Sequence, residues 1–329
     1  MTETHVPQGA RALVHTPAEI GKAYLAWAER LQEDTGISWG VPDIDKKVIP
    51  MRAGELISVL SRPGHGKTSL MARMARLEAQ RIIERNGEPP YPEAVVYCTW
   101  EQSAEELNAM FQASQEYTIS DIAWGRAPLK VIQAQSLKRA SLPIWVIGHG
   151  IGRAHHKAPR LTPDTVLEAI ESMEEDFDVK PTLMLFDYLQ LIPSKNYNDR
   201  VQQVTEMPIR IKELALRIGC PAFCGVQAAR RVDERDDKIP EMRDAQWASS
   251  IEQTSDKVFG VCRPIRYFPD GGLVSIDGYG DLAVNEHLLL MRLLKQRGDT
   301  GRFTWPLYFE PSTLKLMPME LYEDDDLPL

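Results

Sequence analysis

Between Leu56 and Leu77 the chain reads as strand, turn and helix in immediate succession. Leu56-Ile57-Ser58-Val59-Leu60 is apolar and rich in β-branched residues, the pattern of a buried strand. Ser69-Leu70-Met71-Ala72-Arg73-Met74-Ala75-Arg76-Leu77 repeats apolar side chains at helical spacing. Between the two stands Ser61-Arg62-Pro63-Gly64-His65-Gly66-Lys67-Thr68. A glycine-rich turn that opens a helix on Lys-Thr is the context in which a P-loop pattern has meaning. Its glycines let backbone N–H groups close round a polyphosphate, and the helix N-terminus adds a partial positive charge. Arg62, Pro63, Gly64, His65, Gly66, Lys67, Thr68 and Ser69 are therefore the expected nucleotide cradle. Lys67 would reach the outer phosphates and the Thr68 hydroxyl would ligate Mg²⁺. The first position of the loop, normally glycine, is Ser61.

A length of 329 residues gives room for one large domain or two small ones around this unit. Lys plus Arg number 38 against 47 Asp plus Glu, a net charge of −9. That balance excludes a general polyanion-binding surface, so any nucleic-acid site has to be local. Met1–His15 is polar and lacks the apolar stretch of a signal peptide, and it is expected to be disordered. No apolar run approaches the ~18 residues of a membrane span. Cys98, Cys220, Cys224 and Cys262 lie in or beside strand-like runs without zinc-ligand pairing, which fits buried thiols in a reducing cytoplasm.

Thr16-Pro17-Ala18-Glu19 combines an N-cap threonine, proline at the first helical position and glutamate three residues after the cap. Ile20, Tyr24, Trp27 and Leu31 follow at helical spacing, so 17–33 is expected to be a helix with a broad apolar face. That helix either folds onto its own domain or reaches a neighbouring subunit. Further strands are expected at Ala94–Thr99, Ile144–Ile147, Leu183–Asp187, Ala222–Val226, Lys257–Val261, His287–Leu294 and Phe303–Phe309. Helices are expected after Ser103, from Thr162 to about Asp176, and over 200–218, where Pro208 implies a kink or a later start. Strands alternating with helices, then β-rich at the end, imply an open twisted α/β sheet that is parallel at its centre. The stretch from Gly148 to Arg160 holds three histidines but no carboxylate or cysteine pattern to complete a metal site, so it reads as a solvated or phosphate-contacting loop.

Four features add to the P-loop. Leu183-Met184-Leu185-Phe186-Asp187 fits a Walker B strand whose carboxylate joins Thr68 in holding Mg²⁺. Glu101 stands at the end of the neighbouring strand, where it could polarise an attacking water. Gln227 ends the strand Ala222–Val226 and could sense the γ-phosphate. Lys295-Gln296-Arg297-Gly298-Asp299-Thr300-Gly301 sets two cations beside a tight turn, which suits a basic finger reaching a phosphate.

The order Thr-Gly-Ile-x-x-Gly (35–40), Pro-Gly-His-Gly-Lys-Thr-Ser (63–69), Thr-Trp-Glu-Gln-Ser-Ala-Glu-Glu-Leu (99–107), Asp-Tyr-Leu-Gln-Leu (187–191), Ser-Ile-Glu-Gln (250–253) and Lys-Gln-Arg-Gly-Asp-Thr-Gly (295–301) resembles the motor domain of DnaB-type replicative DNA helicases. The resemblance implies a RecA-like P-loop NTPase fold, a ring of six subunits, hydrolysis of ATP with Mg²⁺ at subunit interfaces, and single-stranded DNA in the central channel. It also implies roles: Lys67 and Thr68 as the Walker A pair, Glu101 as the catalytic glutamate, Asp187 as the Walker B aspartate, and Gln227 as the γ-phosphate sensor. Lys295 and Arg297 would act on the neighbouring subunit's nucleotide. Channel loops would lie around Ser194–Arg200 and Met242–Ser250, with Arg200, Arg243, Asp244 and Gln246 as DNA contacts.

The organisation expected on these grounds is a disordered 1–15, a linker helix and connector over 16–40, the motor domain over 41–315 and an acidic tail over 316–329. Members of the family normally carry an N-terminal collar domain before the linker helix, so the resemblance points to a motor-only relative of the phage or mobile-element kind. Tyr322-Glu323-Asp324-Asp325-Asp326-Leu327-Pro328-Leu329 reads either as a solubilising end or as a docking tip for a replication partner or loader. Two alternatives share the fold: a recombinase-like DNA-binding ATPase, and a nucleotide-gated scaffold or loader that does not unwind.

Overall fold

In the computed structural model the chain is described at residues 14–33, 36–112, 116–148, 159–193, 200–235, 238–245, 248–298 and 301–319. The elements follow in the order α1 (Pro17–Glu33), α2 (Pro42–Asp45), β1 (Leu56–Ser61), α3 (Lys67–Asn86), β2 (Glu93–Thr99), α4 (Ala104–Gln112), α5 (Ile119–Ala123), α6 (Leu129–Ala140) and β3 (Ile144–Ile147). Then come α7 (Pro163–Phe177), β4 (Lys180–Asp187), α8 (Arg200–Ile218), β5 (Ala222–Gln227), α9 (Ala248–Thr254) and β6 (Lys257–Cys262). The chain closes with β7 (Leu273–Ile276), β8 (Gly280–Ala283), β9 (Leu288–Gln296), β10 (Thr304–Glu310) and β11 (Lys315–Pro318).

Nine strands form one sheet in the order β11-β10-β9-β6-β1-β5-β4-β2-β3, and β7 and β8 form a separate hairpin. From β6 to β3 the pairing is parallel, whereas β9, β10 and β11 run antiparallel. The nucleotide-loop strand β1 is central, buried along its whole length between β5 and β6. Alternation divides its side chains between two layers. Ile57 and Val59 pack with Leu70, Met71 and Met74 of α3, while Leu56 and Leu60 pack with Val166 of α7 and Ile211 and Leu214 of α8. Covering both faces with helices is what allows a parallel sheet of near-continuous apolar strands.

The expected strands are all present, with shifts of a few residues at their ends. Capping boxes start α1, where Thr16 and Glu19 exchange hydrogen bonds, and α4, where Ser103 and Glu106 do. Pro208 neither delays nor divides α8, which runs from Arg200 to Ile218. Met207, Ile211, Leu214 and Ala215 are buried along its inner face, so tertiary packing offsets the lost N–H. Two expected boundaries differ. Ile37 and Trp39 of the connector are buried in the motor core, Trp39 with its ring edge-on to Phe223 and Phe259. At the other end the boundary after 315 falls inside β11, which pairs with β10 through Pro318. The expected disorder of the N-terminus, the histidine loop from 149 to 158, the first channel loop at 194–199 and the acidic end from 320 lie outside the described residues, apart from Val14 and His15.

Gly260 of β6 shows how closely the loop before α9 lies on the sheet, because a Cβ there would come 2.2 Å from the carbonyl oxygen of Pro240. Backbone on both sides leaves no flexible group to yield. Gly260→Ala is expected to lower stability by about 2–3 kcal/mol, as overpacking does in a filled core. A urea-midpoint comparison checks this, and a midpoint equal to the parent's would show that the loop can lift away.

Candidate nucleotide site

Each component of the site sits at the carboxyl edge of the parallel strands, where an open α/β sheet presents its ligand crevice. Gly64 and Gly66 take φ of 79° and 84°, values that favour glycine, and Gly66 is the N-cap of α3. Ser61 needs no glycine, because it is still the last residue of β1, paired with Gln227 and Val261. The expected glycine at that position is thus unnecessary for the turn.

Lys67 is half-buried, its Nζ 4.2 Å from the centre of the Tyr188 ring. Burial lowers its pKa, and the carboxylates of Asp187 and Glu101 oppose that shift. Space for its stem comes from Gly225 of β5, where a Cβ would lie 2.8 Å from Lys67 Cδ. A glycine inside an otherwise apolar strand was the available sign of that close approach. Asp187 ends β4 almost fully buried; its Oδ2 accepts the Tyr97 hydroxyl at 3.1 Å, whereas its Oδ1 has no hydrogen-bond partner among the described residues. Such an orphaned buried carboxylate oxygen, within electrostatic reach of Lys67, fits an Mg²⁺ hydration shell, which takes one or two carboxylates plus water and phosphate oxygens. Thr68 is half-buried in the first turn of α3, as is Ser69. Tyr97, deep in β2, gave no sequence signal.

Glu101 is exposed at the end of β2. The Thr99 hydroxyl donates to the Gln102 carbonyl at 3.0 Å and accepts the Gln102 N–H at 3.1 Å, which fixes the turn that presents it. Gln227 is held by Gln190, which donates to its carbonyl at 3.2 Å and accepts its N–H at 3.1 Å. Walker B strand and expected sensor are thereby clipped together through backbone groups.

Two cradle residues have their side chains engaged with protein. Arg62 donates bidentately to Asp233, both contacts at 3.2 Å, and to the Ala228 carbonyl at 3.1 Å. Tyr267 also donates to Asp233 at 2.6 Å. His65 is buried, accepts the Arg263 N–H on Nδ1 at 2.9 Å and lies against the Tyr267 ring. Arg266 donates to the Gly64 carbonyl at 3.2 Å. These contacts hold the shape of the loop, while Pro63 and Gly64 stay exposed. Asp233 and Tyr267 were not identified from sequence, since they come from separate segments.

The two finger cations lie at the opposite edge. Register runs Ser58 to Val258 to Lys295, so Lys295 is level with the start of β1. Lys295 donates to the carbonyls of Ser255, at 2.6 Å, and Glu252. Burial and the neighbouring Arg297 lower its pKa. Arg297 stands 3.2 Å from Asp256 with its side chain 61% exposed. Of the expected DNA contacts, Arg243 is 68% exposed and paired with Glu241 at 3.1 Å. Asp244 requires a correction: it is buried and ion-paired with Arg231 and Arg235, so its carboxylate organises the loop from within instead of facing a strand. Arg200 opens α8, and Gln246 lies outside the described residues.

Burial and the guanidiniums of Arg266, Arg62 and Arg263 push the His65 pKa down to about 4, from an ordinary 6.5. The unfolded chain therefore binds the extra proton between those values, and stability is complete above pH 6.5 and lost as pH falls toward 4. His65→Asn keeps an acceptor without titrating, so the parent should lose about 2 kcal/mol more than the variant between pH 7 and pH 5. Urea midpoints at the two pH values measure this, and parallel losses would show His65 to be protonated in the folded protein.

Residues 36–314 match the family described as DnaB-like helicase C terminal domain. A replicative DNA helicase DnaB of Mycoplasma genitalium is 26% identical over 235 residues, 70% of this chain and 47% of that protein. A replicative DNA helicase DnaC of Bacillus subtilis is 26% identical over 304 residues, 88% of this chain and 58% of that protein. The chain thus spans about half the length of the curated relatives it matches. Among solved structures, the "ATPase Domain of G40P" superposes with a TM-score of 0.72 at 16% identity, covering 92% of this chain and 100% of that one. The RecA-like arrangement expected from the motifs is the fold observed, and the chain belongs to the DnaB-like helicase C-terminal domain family.

Proposed function

We propose that the chain is the ATP-hydrolysing motor of a ring-forming DNA helicase that moves on single-stranded DNA. The observation that carries this reading is the division of the charged groups between two edges of one sheet. Lys67, Asp187 and Glu101 gather at the carboxyl edge, whereas at the amino edge Lys295 is held on carbonyls of its own chain and Arg297 is exposed. Across the four residues from Ser58 to Ser61 that separation is roughly 10 Å along β1 before the loop begins. A cation pair so placed serves a nucleotide held by another subunit, as a ring of six copies provides.

Bound Mg·ATP would supply the phosphoryl group and a metal to neutralise its charge. Lys67 and the loop N–H groups would bind the phosphates, Thr68 and Asp187 would hold the metal shell, and Glu101 would take a proton from water. Gln227 senses the terminal phosphate, and the neighbour's Arg297 and Lys295 stabilise the transition-state charge. Glu101→Gln is expected to bind ATP and lose at least about 100-fold in hydrolysis, the scale of a general base. Neither Glu101→Gln nor Arg297→Ala alone should hydrolyse ATP, whereas mixed assemblies should recover part of the rate through interfaces that carry both intact residues. Recovery absent from assemblies proven to be mixed would remove the argument for action between subunits. Strand separation on a forked duplex distinguishes a motor from a loader or scaffold that hydrolyses ATP without unwinding.

Helix α1 supports self-assembly. Ile20, Tyr24, Leu25 and Trp27 are 56%, 61%, 63% and 48% exposed, more apolar surface than an isolated helix leaves in water. An open cavity of about 550 Å³ sets Phe111, Val131, Ala134 and Leu142 among the cations Arg76, Lys130, Lys138 and Arg139, and offers apolar surface for a neighbour's helix. Tyr24→Glu with Trp27→Glu should give folded monomers by light scattering. Assemblies of parental size from that variant would place the helix elsewhere.

A further inference from the structure

Gly260 of β6, Arg292 of β9 and Thr304 of β10 form one row across three paired strands. Pro240 lies directly on this row, against Gly260, and carries Glu241 out over the β9–β10 end of the sheet. Arg302 lies in the connection just before β10, two residues before Thr304. Its Nη2 stands 3.6 Å from Glu241 Oε1. The other oxygen of that carboxylate takes Arg243 Nε at 3.1 Å and Arg235 Nη1 at 3.6 Å. Arg235 closes on Asp244 at 2.6 Å, with Arg231 at 3.2 Å. Four guanidiniums therefore share two carboxylates, a local positive excess on a chain whose net charge is −9.

The four are not equivalent. Arg235 is 20% exposed and locked between Glu241 and Asp244, whereas Arg243 and Arg302 are 68% and 62% exposed. These two reach one carboxylate from separate segments, the turn Met242–Asp244 and the β9–β10 connection. We propose that Arg243 and Arg302 form a clamp for one phosphate of single-stranded DNA, with Glu241 as the internal anion that holds both guanidiniums ready. Exposed ion pairs of this kind are weak, so a phosphate displaces Glu241 readily, and two planar guanidiniums converging on one oxyanion are suited to grip it. Arg302 shares the β9–β10 connection with Arg297, so a gripped strand is mechanically joined to the cation pair aimed at the next subunit's nucleotide. This inference rests on the DNA-motor reading above and adds a contact residue that none of the motifs contains.

The test is fluorescence anisotropy of the full chain on labelled oligothymidine, titrated over a range of KCl with a non-hydrolysable ATP analogue present. Arg302→Ala should weaken binding roughly tenfold and reduce the slope of log affinity against log salt by about 0.7, the increment for one phosphate contact on a single strand. Its unfolding midpoint should match the parent's because the side chain is exposed. Arg302→Lys should keep the slope and regain part of the affinity, and Glu241→Gln should tighten binding by removing the competing anion. Parental affinity and slope in Arg302→Ala overturn the clamp alone. A parent that binds no oligothymidine at any salt overturns both the clamp and the DNA reading.

Discussion

The carboxylate of Asp256 ties together the amino edge of the sheet. It is buried at the amino edge of the sheet, where Oδ2 accepts the Leu56 N–H at 2.8 Å and Lys212 Nζ at 2.5 Å while Oδ1 faces Arg297 at 3.2 Å. One side chain therefore holds both the start of the strand that carries the nucleotide loop and Arg297, the cation proposed to act on another subunit. A buried charge with partners of this kind is costly to uncover, about 3–5 kcal/mol when one partner is removed. The position of Arg297 is in this way tied to the integrity of β1.

From the other end of β1 a second set of polar contacts leads toward the expected DNA loop. Arg62 of the nucleotide loop grips Asp233 of the short turn Arg230–Glu234, and Arg231 of that turn and Arg235 just after it grip Asp244. The backbone follows suit, with the Ala228 N–H on the Ser61 carbonyl and the Ala229 N–H on the Asp244 carbonyl, each under 3 Å. Charged groups and backbone together leave few independent motions between phosphate loop and channel segment. These contacts are the physical connection that the proposed motor would use to link its nucleotide loop to the segment proposed to meet DNA.

The chain's negative charge takes on meaning in this setting. Acids at Glu241 and Asp244 are interleaved with arginines, so the loop's cations are held in place instead of repelling one another. Asp244 looked like a surface residue because a short charged stretch does not reveal which member turns inward. Its burial follows from the two arginines supplied by a turn some ten residues earlier.

The sequence by itself determined the elements whose signals are local. Strand β1, the loop with its two required glycines and α3 follow from residue pattern and backbone sterics, and the capped starts of α1, α4 and α7 from side chains three residues apart. Glu101, Asp187 and Gln227 stood out because each lies at or just beyond a strand end, and Lys67 because it opens α3 after the glycine-rich loop. Helices α5 and α6 and the β7–β8 hairpin carry weaker periodicity and emerged only in the structure. Tertiary structure alone decided the contacts between distant segments: Tyr97 on Asp187, Asp233 on Arg62, Asp256 on Arg297 and Glu241 on Arg302. Sheet order is the reason. Placing β6 and β5 on either side of β1, and β9 antiparallel beyond β6, brings together residues up to 249 positions apart, and no local propensity encodes that neighbourhood.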